Sequence, residues 1–306
     1  MTTFPTTPLT RLHHPTAVHT ISFTSTGQYL LTGSQDGKLR LYNTLRQSLI
    51  QTLPTHNSAI LTVSISPSNT LLLSAGTDKA LQLTDVATAS PLRRILAHPG
   101  TINSTLFCGE AASLAASGSQ DGTAKFWDLK SHDTRPVASL ADAKDGVTSL
   151  AAAQREVLVG SLDGRVRIYD LRGGRCVIDT VDPAGGVMCV SLDESGGRYL
   201  VSCLGGGVRV MSRGTGGCER FFGGGGYTNE KYRVRSTFGM QDQVVIAGAE
   251  DGEVFVWDVV TGEGRGRVRH TEEGKGRESV VADVKWCEEG KIWASAGGDG
   301  CVVLWE

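Results

Sequence analysis

Polar and apolar residues alternate in short runs along this chain, and the runs stop at turn signals. In Arg165-Val166-Arg167-Ile168 the period is two, which puts both arginines on one face of a strand and both aliphatics on the other. The pattern is fullest around residues 102–128. Ile102–Phe107 predicts one strand, Ser113–Gly118 a second, Asp121-Gly122 a tight turn and Thr123–Asp128 a third. The Asp-Gly pair is expected to form a type I′ hairpin turn, because Gly adopts positive φ freely and Asp tolerates it. A fourth, less apolar strand follows such a unit, as at Pro91–Leu96.

The unit recurs. GSQDGKLRLYN at 33–43, AGTDKALQLTD at 75–85, GSQDGTAKFWD at 118–128 and GSLDGRVRIYD at 160–170 are followed by looser copies at 203–212, 248–258 and 296–306. The turn positions Asp36, Asp78, Asp121, Asp163, Gly205, Asp251 and Asp299 are spaced by 42, 43, 42, 42, 46 and 48 residues. Four strands at that period resemble the WD-repeat β-propeller, so the expected fold is all-β: one domain, residues 1–306, folded as a ring of seven blades.

The last copy stops at Trp305-Glu306, the end of a third strand. A fourth must come from elsewhere. The segment Pro8-Leu9-Thr10-Arg11-Leu12-His13-His14-Pro15 reads like Pro91–Pro99 ahead of blade three, so Leu9–Leu12 is expected to pair with Val302–Trp305 and close the ring. Closure removes exposed sheet edges.

His98, Ser119 and Asp121 contain the residue types of a nucleophilic hydrolase. A catalytic site is needed once, however, and this set recurs at the blade period: His14, Ser34, Asp36 and Tyr42 in blade one, with His56, Asp78 and Thr84 in blade two. The set is therefore read as a buried tetrad, His98, Ser119, Asp121 and Trp127, in which the turn carboxylate receives the donors it needs. It thins out in the later blades: Ser161, Asp163 and Tyr169 in blade four without His, then Cys203, Gly205 and Met211, then Ala249, Asp251 and Trp257, then Gly297, Asp299 and Trp305. Blade five is expected to be the softest.

Binding is expected where the innermost strands meet the central channel. Each blade offers the residue before its turn Asp and two that flank a buried aliphatic at the start of its first strand. From this ring the candidate partner contacts are His19, Gln35, Leu61, Asn103, Gln120, Thr148, Leu162, Met188, Leu204, Arg233, Arg235 and Glu250, with Tyr232 beside them in the lengthened segment Asn229–Arg233. The ring is mostly small and neutral, which suits a peptide better than a phosphate backbone. Two basic clusters are candidates for RNA or acidic partners: Arg165 and Arg167, followed by Arg172 and Arg175, and Arg265, Arg267 and Arg269 with His270, where Glu263, Glu272 and Glu273 lie nearby. Gly223–Gly226 is followed by no GK[ST] and is read as a flexible connection rather than a phosphate loop.

Composition adds exclusions. Thirty basic and 32 acidic residues give a net charge of −2, so the molecule as a whole has no bias toward nucleic acid or anionic membrane. No apolar run approaches the ~20 residues of a membrane span, and the start of the chain has no signal-peptide pattern. Seven scattered cysteines without a CxxC pair argue against a disulfide framework or a metal site, and no cofactor is expected. The expected compartment is reducing, nucleus and cytoplasm. No nucleophile elbow or carboxylate pair supports an enzyme.

The run SLADAKDGVTSLAAAQREVLVGSLDGRVRIYDLRGG at 139–174 goes beyond the general repeat. It resembles blade four of the mitogen-activated protein kinase organiser family, also called WD-repeat protein eighty-three, in DGV at 145–147, in GS-DGRVR around 160–167 and in YDLR at 169–172. Gly205-Gly206-Gly207 and Tyr227, where the repeat would carry His, depart from the pattern. The resemblance implies a non-catalytic scaffold, monomeric within a larger assembly. Its expected setting is a spliceosome-associated adaptor in pre-mRNA splicing, contacting splicing factors and, secondarily, RNA. The alternative is a cytoplasmic scaffold for components of a mitogen-activated protein kinase cascade.

Overall fold

The computed structural model describes residues 4–109, 112–131, 133–153, 155–174, 176–182, 185–270 and 279–306. Among these, 28 strands form seven antiparallel four-stranded sheets, each ordered from an innermost to an outermost strand. The seven innermost strands begin at Val18, Ile60, Ile102, Val147, Val187, Ser236 and Val281. Each touches the next, and the last touches the first, so the sheets stand as blades around a central channel.

Six blades are continuous in the chain, and the seventh is not. Pro8–His13 adds as the outer strand beside Cys301–Trp305, with Leu12 opposite Val302 and Arg11 opposite Val303. Glu306 and Thr7 exchange two further backbone hydrogen bonds. The closure expected from the two chain ends is the one observed.

The core is divided among the interfaces between blades. Seven apolar clusters each draw on two neighbouring blades, for instance Leu12, Ile21, Leu30, Ala294 and Leu304 between blades seven and one. Alternation on each strand makes this work, since both faces of a blade must meet a neighbour. Phe4 wedges into the cluster between blades six and seven, 5.4 Å from Trp293, which stacks on Trp305 at 4.8 Å.

The turns differ from the expected type I′. In blade three the Gly122 amide donates to Ser119 O and the Ser119 amide to Thr123 O, which encloses a three-residue loop, Gln120-Asp121-Gly122. Only Gly122 has positive φ, +81°. This is a type I turn followed by a left-handed residue, so Asp121 needs no unusual backbone and its carboxylate is free to fold back into the blade. Lys79 takes the glycine's place in blade two at φ +63°. Blade five departs again. Gly206 donates to Cys203 O with Gly205 at φ +68°, the position at which a type II turn requires positive φ.

Candidate functional site

Two sets of polar residues stand out against this frame: networks inside the blades, and the groups around the channel mouth. Blade three holds the clearest network. His98 Nδ1 lies 2.9 Å from Asp121 Oδ2, His98 Nε2 lies 2.8 Å from Ser117 Oγ, and Trp127 Nε1 donates to that hydroxyl at 2.9 Å. The carboxylate can only accept, so the proton sits on Nδ1, and the chain of donors runs Trp127, Ser117, His98, Asp121. The serine is Ser117, not Ser119. Ser119 Oγ instead accepts the Asp121 amide at 3.2 Å. Both side chains share a face of the same strand, but only Ser117, one pair of residues further from the turn, reaches between the indole and the imidazole.

The same register, a serine four residues before the turn Asp, recurs in two other blades. His56 joins Asp78 at 2.9 Å and Ser74 at 2.8 Å, while Thr84 Oγ1 is buried without a partner and stays outside the network. His270 lies 2.7 Å from Ser295 Oγ, Trp305 Nε1 donates to the same hydroxyl at 2.8 Å, and Asp299 is 3.5 Å from the other imidazole nitrogen. The expected decay toward the C-terminus is thus corrected at blade seven. His270 is fully buried and belongs to this network rather than to a basic cluster. The segment 271–278 lengthens the distance to its turn and hides the register in the sequence.

Blades one and four use a different arrangement, which the sequence reading missed. In blade one Arg40 stands between His14 and Asp36: its guanidinium pairs with Asp36 at 2.6 Å, donates to Ser34 Oγ at 2.7 Å and lies 3.4 Å from His14 Nδ1. Because Arg40 can only donate, His14 Nδ1 accepts and Nε2 faces Tyr42 OH at 3.2 Å. Burial first, and the Arg40 charge second, push the His14 imidazole down to about 4. Burial opposes ionisation of Asp36, but the bonds from Arg40 and Ser34 outweigh it and hold the carboxyl at about 2. Blade four repeats the device with Arg167, Asp163 and Ser161, and Tyr169 donates to Asp142 at 2.8 Å where blades one, two, three and seven place His. The recurring signal was an arginine four residues after the turn Asp. Arg209 sits at the same offset in blade five, where Gly205 offers no carboxylate, and pairs with Asp182 at 3.0 Å.

These contacts correct the basic clusters. Arg167 is 1 % exposed and locked to Asp163, so it offers nothing to an external anion. Arg165, on the same strand, is half-buried, and Arg175 lies outside the described residues. Arg265, Arg267 and Arg269 occupy the outer strand of blade six, and each faces an acid of that blade: Asp258 at 2.5 Å for Arg265, Glu253 and Asp251 for Arg267, and Glu253 at 4.0 Å for Arg269. The strand is a ladder of ion pairs, not a bare basic edge. Glu272 and Glu273 lie outside the described residues.

At the channel mouth, His19, Leu61, Asn103, Tyr232, Arg233 and Arg235 line one recess of about 220 Å³, with Ala17, Val280, Ala282 and Gly298 completing its wall. Gln35 and Gln120 are exposed at the turns, and Leu162 and Leu204 are half-buried. Met188 and Thr148 are buried instead, and Thr148 Oγ1 is spent on Val187 O at 2.6 Å. Neither presents a contact surface. Asn103 is largely withdrawn too, donating to Val147 O at 2.8 Å.

Arg235 crosses the channel and is fully engaged there. It pairs with the buried Asp283 at 2.6 Å and donates to Thr20 Oγ1 at 2.9 Å and Leu61 O at 2.7 Å, tying blade six to blades seven, one and two. Its role is internal bracing. Glu250 also acts internally, since one carboxylate oxygen accepts the backbone amides of Glu230, Lys231 and Tyr232 at 2.6–2.9 Å and shapes the loop that carries Tyr232 and Arg233. Arg233 donates to Thr148 O across the channel at 2.5 Å, and burial, followed by the neighbouring Arg235 charge, lowers its guanidinium to about 9.

The WD domain, G-beta repeat family matches this chain at residues 6–43, 47–85, 89–128, 129–170 and 266–306, which are blades one to four and seven with the closing strand. A WD repeat domain-containing protein 83 homolog of Dictyostelium discoideum is 28% identical over 279 residues, covering 82% of this chain and 84% of that protein. WD repeat domain-containing protein 83 of Rattus norvegicus is 37% identical over 133 residues, 44% of this chain and 41% of the relative, and that of Homo sapiens 37% over 127 residues, 42% and 39%. The alignments to the rat and human proteins thus span less than half of each. No helix among the described residues is long and apolar enough to cross a membrane. With seven blades, the shared networks and these relatives, the chain belongs to the WD-domain, G-beta repeat family and, within it, to the WD repeat domain-containing protein 83 group.

Proposed function

We propose that this protein-interaction scaffold is a spliceosome-associated adaptor that engages protein neighbours more than RNA. The observation that carries the preference for proteins is the pairing of the basic residues. Arg167, Arg265 and Arg267 each pair with an acid of their own blade, and Arg269 lies 4.0 Å from Glu253, so these cationic groups are already committed in part to carboxylates of the protein rather than held free for a phosphate backbone. The recess bounded by Leu61, Tyr232 and small residues, with Arg233 in its wall, offers instead a concave seat of the kind peptides use. The splicing setting is supported by the resemblance at residues 139–174 to a family with two described settings, of which the kinase module is the other.

Affinity purification of the tagged chain from nuclear and cytosolic extracts, with mass spectrometry, tests the reading. Splicing factors recovered from the nuclear fraction support it, and kinases of one cascade recovered from the cytosol would replace it by scaffolding. Loss of the recovered set on Leu61→Arg, with an unchanged circular dichroism spectrum, would assign the binding to the channel mouth.

A further inference from the structure

Buried arginines in this protein come with a carboxylate: Arg40 with Asp36, Arg167 with Asp163, Arg235 with Asp283. Arg233 does not. Its guanidinium makes one hydrogen bond, to Thr148 O, its Nε is buried with no partner, and among the described residues no carboxylate lies within ion-pair distance. The neighbouring Asp283 is already engaged by Arg235 at 2.6 Å. One half-buried cation, its Nε enclosed, is therefore left without a carboxylate at the wall of the recess.

We infer that the recess takes an acidic side chain, Glu or Asp, from an extended segment of a partner protein, with Arg233 as its counter-ion. The planar guanidinium suits a carboxylate, and Leu61, Ala17, Ala282 and Gly298 around it bring no charged group to compete for it. A nucleic-acid backbone is the poorer occupant, because phosphate binding draws on several cations along a track, whereas Arg235 beside Arg233 is neutralised. This inference rests on the reading of the channel mouth as the docking face, and deepens it.

Phage-displayed random peptides selected on the full-length chain, then resynthesised and measured by fluorescence anisotropy, test both levels separately. Enriched peptides should contain a Glu or Asp whose change to Gln or Asn lowers affinity at least about tenfold on the native chain and less than about twofold on Arg233→Met, the mark of a direct coupling. Peptides that bind and are lost on Leu61→Arg, but show no acidic requirement or keep it on Arg233→Met, would overturn the inference and leave the docking face standing. Equal enrichment on the native chain and on Leu61→Arg would overturn the docking face itself. Arg233→Met removes a half-buried charge without a carboxylate and one bond to Thr148 O, so its melting temperature should fall by no more than a few degrees, which separates lost recognition from lost folding.

Discussion

Ser117 Oγ lies 2.8 Å from His98 Nε2, and the hydroxyl that the sequence pattern singled out, Ser119, is bonded to the turn backbone instead. Ser117→Ala would leave the His98 and Trp127 nitrogens buried and unpartnered, a cost of about 1–3 kcal/mol. Ser119→Ala removes one weaker bond and should cost about 1 kcal/mol or less. Urea denaturation of both variants checks the order, and the reverse order would contradict the network as described.

Ring closure depends on a strand from the opposite end of the chain. Deleting residues 1–13 removes the partner of Cys301–Trp305 and the Phe4 wedge together, and should abolish cooperative melting or lower it sharply. A milder probe is Leu12→Ala, which truncates a residue 6 % exposed in the cluster between blades seven and one and should cost about 2–4 kcal/mol. A deletion that keeps the native melting temperature would show that the closing strand is dispensable.

Arg167 and Asp163 form an ion pair inside blade four. Removing the acid alone, Asp163→Ala, leaves the guanidinium buried and uncompensated, and should destabilise by about 3–5 kcal/mol. Replacing both, Asp163→Ala with Arg167→Met, should recover a substantial part of that loss. Chemical denaturation of the single and double variants gives the coupling directly.

Acid should weaken the fold in two stages. His14 has a folded value of about 4, below its ordinary 6.5, so the folded state disfavours the extra proton. Its contribution is complete above pH 6.5 and is lost as pH falls from there to about 4, about 3 kcal/mol in all. Asp36 and Asp163, held at about 2 against an ordinary 3.8, then lose their contribution as pH falls from about 4 through 2. Stability measured at pH 7, 5 and 3 should show both losses, and His14→Gln should reduce the first, the remainder coming from His98, whose imidazole is also held below its ordinary value by burial.

Much of the architecture could be read from the chain before any coordinate. The copies of the turn phrase and their spacing determined the blade count, and the unpaired third strand at Trp305 with the orphan segment Leu9–Leu12 determined the closure, because strand period and strand pairing are local and additive properties. The polar networks were legible only in outline. Which serine meets the imidazole is set by its depth along the blade, and His270 was masked by the longer connection at 271–278, so equal offsets in sequence were not equal positions in space. The channel mouth belongs wholly to the tertiary structure. Arg233 and Arg235 are two residues apart and alike in sequence, yet Arg235 reaches Asp283, 48 residues on, and Thr20, 215 residues away, while Arg233 meets only a carbonyl of blade four. Charge compensation is decided by which side chains converge across the ring, and only the assembled ring brings those partners within reach.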